Sequence, residues 1–201
     1  MARWPDVTAR AAGVRAAECE LDGAKTRAAL RYFAPSALSD EPAHVTIAYS
    51  LHQAPFQASL LQEVTQLARQ VFDDPSLDIA WRLSVMPQAT AVLARDHADK
   101  LLGFKLGYAM TESRYYSWLG GVHLTARGSG VARQLMRRQH RWLVDRGCSQ
   151  VETSTDQGNA AMAHVNLQEG FVVCGTRCVP GRVQVLYLKT LELIPRPARR
   201  P

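Results

Sequence analysis

The residues of this chain whose type and spacing could do chemistry gather at Arg127-Gly-Ser-Gly130-Val-Ala132. This segment lies between a strand-like run ending Val122-His-Leu124 and a long basic helical run. A glycine turn that opens a helix leaves backbone N–H groups without intrahelical partners and sets a positive dipole end behind them. It is therefore a seat for a phosphate or pyrophosphate. Gly128 and Gly130 remove the β-carbons that would hold an anion off the backbone. Two phosphate turns do not fit these residues. A P-loop needs Gly-Lys followed by Ser or Thr, and no such lysine stands here. A dinucleotide fingerprint needs a third small residue inside a parallel βαβ unit. Arg133 takes that position, and three strand-like runs joined by short connections precede it.

The elements that position the turn follow from periodicity and punctuation. His44 to Leu51 reads as a strand. After Pro55, Leu60, Leu61, Val64, Leu67, Ala68 and Val71 recur at helical spacing, and Asp73-Asp-Pro75 stops that helix. A short helix is expected over Leu77 to Val85. Two strands then run Thr90 to Arg95 and Leu101 to Met110, with Leu102, Phe104, Leu106, Tyr108 and Met110 on one face and Gly103, Lys105 and Gly107 on the other. A strand from Tyr115 to Leu124 leads into the turn. The helix after it, Ser129 to Arg146, should turn Ala132, Leu135, Met136, Gln139, Trp142 and Leu143 inward, with Gly147 as its stop. A strand over Gln150 to Thr155, a turn and cap over Asp156 to Asn159, a helix over Ala160 to Glu169, and a hairpin of Phe171 to Val179 with Arg182 to Leu191 complete the order. The fold class is α/β, a mixed sheet with a central antiparallel meander. Residues 1–43 read as an N-terminal arm with helical stretches, 44–194 as one domain, and 195–201 as a basic Pro/Arg tail.

Composition narrows the function classes. A chain of 201 residues with 47% hydrophobic and 21% charged residues is ordinary globular material, enough for one domain with a full core. The net charge is +6, yet residues 1–43 balance six basic against six acidic groups. Much of the excess lies in the tail and on the helix carrying Arg133, Arg137, Arg138, Arg141 and Arg146, which suits an anionic small ligand. A nucleic-acid partner is disfavoured, because no interleaved aromatic and basic platform is present. No run approaches a membrane span and no secretory pattern opens the chain, so a cytoplasmic protein with reduced thiols is expected. Cys19, Cys148, Cys174 and Cys178 form no closely spaced pair, and no metal site is expected.

The stretch Arg127-Gly-Ser-Gly130-Val-Ala132 resembles the Arg/Gln-x-x-Gly-x-Gly/Ala signature of the GNAT superfamily, the Gcn5-related N-acetyltransferases. The resemblance extends to Val122-His-Leu124, where the family has Val-x-Pro, and to the block running from Asn159 to Gly170-Phe171. It covers about three quarters of the chain, omitting the arm and the tail. The family fold splays two neighbouring strands, here Tyr115 to Leu124 and Gln150 to Thr155. The resemblance implies acetyl-CoA as co-substrate, with pantetheine against Val122 and Leu124 and pyrophosphate on Arg127, Gly128, Ser129, Gly130, Val131 and Ala132. It further implies Arg133 or Arg137 at the outer phosphate and Asn159 on the pantetheine.

The implied activity is transfer of an acetyl group to a primary amine by direct attack. The amine could belong to a small molecule, a peptide N-terminus or a lysine, and a homodimer is compatible with the pattern. The alternative is a CoA-binding module without catalysis. Many family members place a tyrosine seven residues after the asparagine to protonate the departing thiolate. Here that position is Asn166, whose amide cannot act as an acid. Among further candidates, His123 has a suitable pKa range for a base. Tyr116 and Trp118 share one face of their strand and would line the acceptor side or the core, with Ser117 and His123 on the other. Glu112 and His164 read as surface groups.

Overall fold

In the computed structural model, residues 46–72 and 77–193 are described; the expected arm (1–43) and tail (195–201) lie outside them, as do the first residues of the expected strand at His44. The elements are β1 (Ala48–Gln53), α1 (Ala58–Val71), α2 (Ile79–Val85), β2 (Thr90–Arg95), β3 (Leu101–Ala109), β4 (Arg114–Val122), a 3-10 turn (Leu124–Ala126), α3 (Val131–Asp145), β5 (Gln150–Asp156), α4 (Ala160–Gln168), β6 (Val172–Val179) and β7 (Arg182–Thr190). One seven-stranded sheet has the order β1-β2-β3-β4-β5-β7-β6, antiparallel except where β4 meets β5. None of the described helices is long and apolar enough to cross a membrane.

Helices cover both faces. On one, Leu60, Val64, Leu67 and Ala68 of α1 and Ile79 and Leu83 of α2 pack on Ala91, Leu93, Phe104 and Leu106. The Asp78 side chain accepts from Trp81 N–H at 2.9 Å, an N-cap that starts α2. On the other face, Val131 and Leu135 of α3 meet Val92, Ala94 and Leu102, while Met136 and Leu143 meet Tyr115, Val151, Phe171 and Tyr187. Each fully buried leucine or valine here contributes roughly 1.5–3 kcal/mol.

Irregular register corrects two expected faces. Between Ala94 and Arg95 the β2–β3 pairing slips, and Leu102 joins Val131 and Leu135 rather than the face of Phe104. Opposite Gly107, β4 carries one extra residue: Leu106 pairs with Leu119, but Tyr108 pairs with Tyr116. Trp118 and Leu119 therefore both pack on the α1 face. Parity beyond the bulge is reversed, so Val122, not His123, lies on the face of Ser117.

One strand end and one helix face also shift. The strand expected to reach Leu124 ends at Val122, because Ala126 N–H closes a turn on His123 O at 2.9 Å. The buried stripe of α3 is Val131, Leu135, Met136, Gln139, His140 and Leu143. Ala132 and Trp142 are displaced to its rim; the Trp142 ring lies edge-on to Tyr115 with the Arg146 guanidinium 4.9 Å from its centre.

Candidate functional site

Gly128 and Gly130 take φ of +79° and +81°, a region closed to most side chains, and this bend turns the chain into α3. Gly130 caps the helix without a side-chain acceptor. Among the described residues no hydrogen-bond acceptor meets the amides of Gly128, Ser129, Gly130, Val131, Ala132 or Arg133. The helix begins only with Gln134 N–H on Gly130 O at 3.0 Å. Six such donors at a positive helix end have the chemistry to receive an anion. Arg127 differs from the expectation: its amide is used by Leu124 O at 3.3 Å, and its Nε donates to Val122 O at 3.2 Å. Its role here is to fasten the turn to the strand end.

Beside the seat the sheet opens. β4 and β5 pair only through Arg114–Gln150, Tyr115–Val151 and Tyr116–Glu152; beyond these, β5 stays with β7 as far as Asp156 while β4 stays with β3. Thr153 Oγ1 donates to Ser117 O at 2.8 Å, and Tyr116 Oη lies 2.7 Å from Ser154 Oγ, so two side-chain bridges mark where the strands part. The edge of β4 from Ser117 to Val122 thus lacks a strand partner on the β5 side. A cleft of about 770 Å³ is lined by Tyr108, Tyr116, Trp118, Leu119 and Arg82 on the α1 face, and by Lys105, Thr153, Thr155 and Tyr187 on the other. Because its walls come from both faces, the cleft passes through the splayed gap. Such a passage can hold an extended, amide-bearing ligand along a strand edge and admit a second reactant from the opposite side.

The expected site residues fall into two groups. Tyr116 lines the cleft, its ring 5.6 Å from that of Tyr108, and Asn159 lines it too. The Asn159 Oδ1 accepts from Met162 N–H at 3.1 Å, so this oxygen caps α4. The other catalytic candidates are engaged elsewhere. The ring of His123 caps the 3-10 turn, with Nδ1 2.8 Å from Thr125 Oγ1. Asn166 is buried, and its Nδ2 donates to Thr155 Oγ1 at 3.1 Å, tying α4 to β5. The Leu124 side chain is exposed, and that of Val122 packs with Val131.

Arg133 and Arg137 are likewise engaged. Arg137 grips Glu169 with two bonds of 2.9 Å; Arg133 Nε lies 3.0 Å from the same carboxylate, and its guanidinium also meets Gln168. These contacts clamp α3 to the C-terminal end of α4. The Glu169 side chain is only 5% exposed, whereas the arginines are 40% and 56% exposed. Glu169→Gln is expected to lower stability by about 1–2 kcal/mol, the low end for a half-buried pair. Urea unfolding with an unchanged slope is the check.

A buried polar group that the sequence pattern did not reveal lies on the α3 side. Ser117 Oγ donates to Gln139 Oε1 at 2.5 Å. Gln139 Nε2, His140 Nε2 and Asn166 Oδ1 are buried with no hydrogen-bond partner among the described residues. Lys105, 6% exposed, joins them from β3. Burial first, then the charges of Lys189 and Lys105, hold His140 at a pKa of about 3, so its ring is neutral. The available signal was Lys105 as the one charged residue in an otherwise apolar and glycine-containing strand.

The model of the Acetyltransferase (GNAT) family matches residues 48–171. Among solved structures, the ribosomal-protein-S18-alanine N-acetyltransferase from Escherichia coli is similar, with a TM-score of 0.63 and 12% identity over 74% of this chain and 97% of that one. A GNAT family acetyltransferase from Elizabethkingia anophelis with acetyl-CoA bound gives 0.57 and 13% over 72% and 98%. Arabidopsis thaliana NAA60 in complex with a bisubstrate analogue gives 0.61 and 16% over 73% and 100%. No curated protein matches the sequence. At these identities the structures establish the shared fold, and the family model, spanning more than half of the residues, establishes that this chain belongs to the GNAT acetyltransferase family.

Proposed function

We propose that this protein is a cytoplasmic acetyl-CoA-dependent N-acetyltransferase acting by direct transfer to a primary amine. The observation that carries the proposal is the row of unpartnered amides from Gly128 to Arg133 at the splayed edge of β4. A pyrophosphate satisfies those donors, and an amide-rich pantetheine arm satisfies the open strand edge. That the similar Elizabethkingia anophelis structure holds acetyl-CoA supports the same assignment here. The thioester then lies in the gap, and the amine approaches from the α1 face along Tyr108, Tyr116 and Trp118. Backbone donors on the free edge of β4 polarise the carbonyl as the amine attacks. Tyr116, bridged to Ser154 where the strands part, is the wall at the reacting end.

Calorimetry with acetyl-CoA followed by thiol release over a panel of small amines, peptides and lysine derivatives tests the reading. Saturable acetyl-CoA binding and thiol release dependent on one class of amine are expected. Absence of acetyl-CoA binding would overturn it. Binding without turnover on any amine would identify a CoA-binding module, a reading that Asn166 at the expected acid position favours.

A further inference from the structure

Lys105 is an ammonium that the fold has no structural reason to bury. It lies in the middle of β3 at 6% exposure, and no carboxylate or hydrogen-bond acceptor among the described residues meets its Nζ. A buried charge without a counter-ion is costly, and such groups concentrate where a ligand or a reaction uses them. Its reach is set by a glycine. A β-carbon added at Gly120, on the free edge of β4, would come within 2.9 Å of Lys105 Cδ and 3.5 Å of Nζ. The lysine stem therefore crosses β4 in the space that Gly120 leaves open, and Nζ lines the cleft where it passes through the splayed gap.

We propose that Lys105 is the proton donor to the departing thiolate of CoA, the duty that Asn166 cannot perform. The inference rests on the acetyl-transfer reading above. In the step, the acceptor nitrogen forms a bond to the thioester carbonyl carbon and the C–S bond breaks with its electron pair on sulfur. Sulfur takes a proton from Nζ, leaving a neutral lysine. The acceptor nitrogen loses its own proton to water, and the cleft returns one to Lys105. The products are the N-acetyl amine and the free thiol.

Electrostatics support the geometry. Burial holds the Lys105 amine down to about 8, at or below the ~8.5 of a cysteine thiol, so proton transfer to a departing thiolate is not uphill. The neighbouring imidazole and charged side chains do not replace it. His140 on α3 is held neutral. Glu152 and Asp156 on β5 are paired with Arg114 and Arg182. Arg177 on β6 is bonded to Gln184, and Arg82 on α2 lies over Trp118. Tyr108, Tyr116, Tyr187 and Cys174 are the remaining titratable groups of the cleft.

The experiment compares the wild type with Lys105→Met and Lys105→Arg, using the amine that gives thiol release. For the wild type, kcat should fall as pH rises through about 8, because the acid must be protonated. Both variants should lose roughly 100-fold in kcat and lose that alkaline limb, while the acetyl-CoA Kd stays within about threefold. A second readout needs no turnover: the thiolate absorbance of bound CoA, titrated with pH, should move in Lys105→Met relative to the wild type. A retained alkaline limb and an unmoved thiol titration in Lys105→Met would overturn the proposal, as would wild-type kcat in Lys105→Arg, whose guanidinium keeps the charge but cannot give up a proton. Failure of the wild type to bind acetyl-CoA would instead overturn the underlying reading.

Discussion

Gly130→Phe is expected to weaken acetyl-CoA binding at least about 100-fold while lowering stability by only about 1–2 kcal/mol. The two effects separate because of where the residue stands. At φ +81° any side chain is strained, which accounts for the loss of stability. An added β-carbon at Gly130 meets no atom within 4 Å, so a benzyl group enters open space rather than the core. That space borders the unpartnered amides of Gly128 to Arg133. A phosphate kept off two of those donors loses charge-assisted bonds worth about 1.5–3 kcal/mol each, which sets the 100-fold floor. Gly130→Ala carries the same backbone strain with far less bulk, and should bind much better than Gly130→Phe at equal stability. Calorimetry and urea unfolding on the three proteins check both arms. Wild-type affinity in Gly130→Phe would place the pyrophosphate elsewhere.

The same glycine explains why the turn into α3 was readable in the sequence. Turns that need positive φ leave little choice of residue, and Gly128, Gly130, Gly147, Gly170 and Gly181 all adopt it. They mark the ends of α3 and α4 and the β6–β7 hairpin, and the element order follows from them with the apolar periods. The bulge in β4 left no such mark. Trp118 and Leu119 are both apolar, and an alternating pattern cannot tell that two consecutive residues share a face. His123 and Val122 therefore exchanged faces between expectation and structure. Engagement of side chains was equally hidden. Arg133 and Arg137 have the reach and charge for a phosphate, but only the packing of α4 against α3 shows Glu169 between them. Lys105 could be placed opposite Phe104 by parity; its burial depends on α3 covering that face, a tertiary fact.

Gly107→Ala is expected to cost about 3–5 kcal/mol, a large part of the 5–15 kcal/mol that holds a domain together. Gly107 lies on β3 opposite the extra residue of β4, where the two backbones run unusually close. A β-carbon there would come within 2.6 Å of Tyr116 O, would overlap the Tyr115 ring, and would stand 3.0 Å from Gln139 Nε2. A flexible side chain could yield, but a carbonyl oxygen inside a paired strand cannot, and Tyr115 is itself pinned by a 2.6 Å bond to Thr90. Relief requires β4 to move away from β3. That movement shifts Tyr116, whose bond to Ser154 marks the start of the splay, so the cleft should distort before the domain unfolds. Gly158→Ala provides the control: nothing lies within 4 Å of its added β-carbon, and its stability should stay within about 0.5 kcal/mol of wild type. Urea midpoints report the energies, and near-ultraviolet circular dichroism of Tyr116 and Trp118 reports the cleft. A Gly107→Ala protein as stable as the control would show that the bulge relaxes freely, and the splay would then owe its position to the Tyr116–Ser154 and Ser117–Thr153 bridges alone.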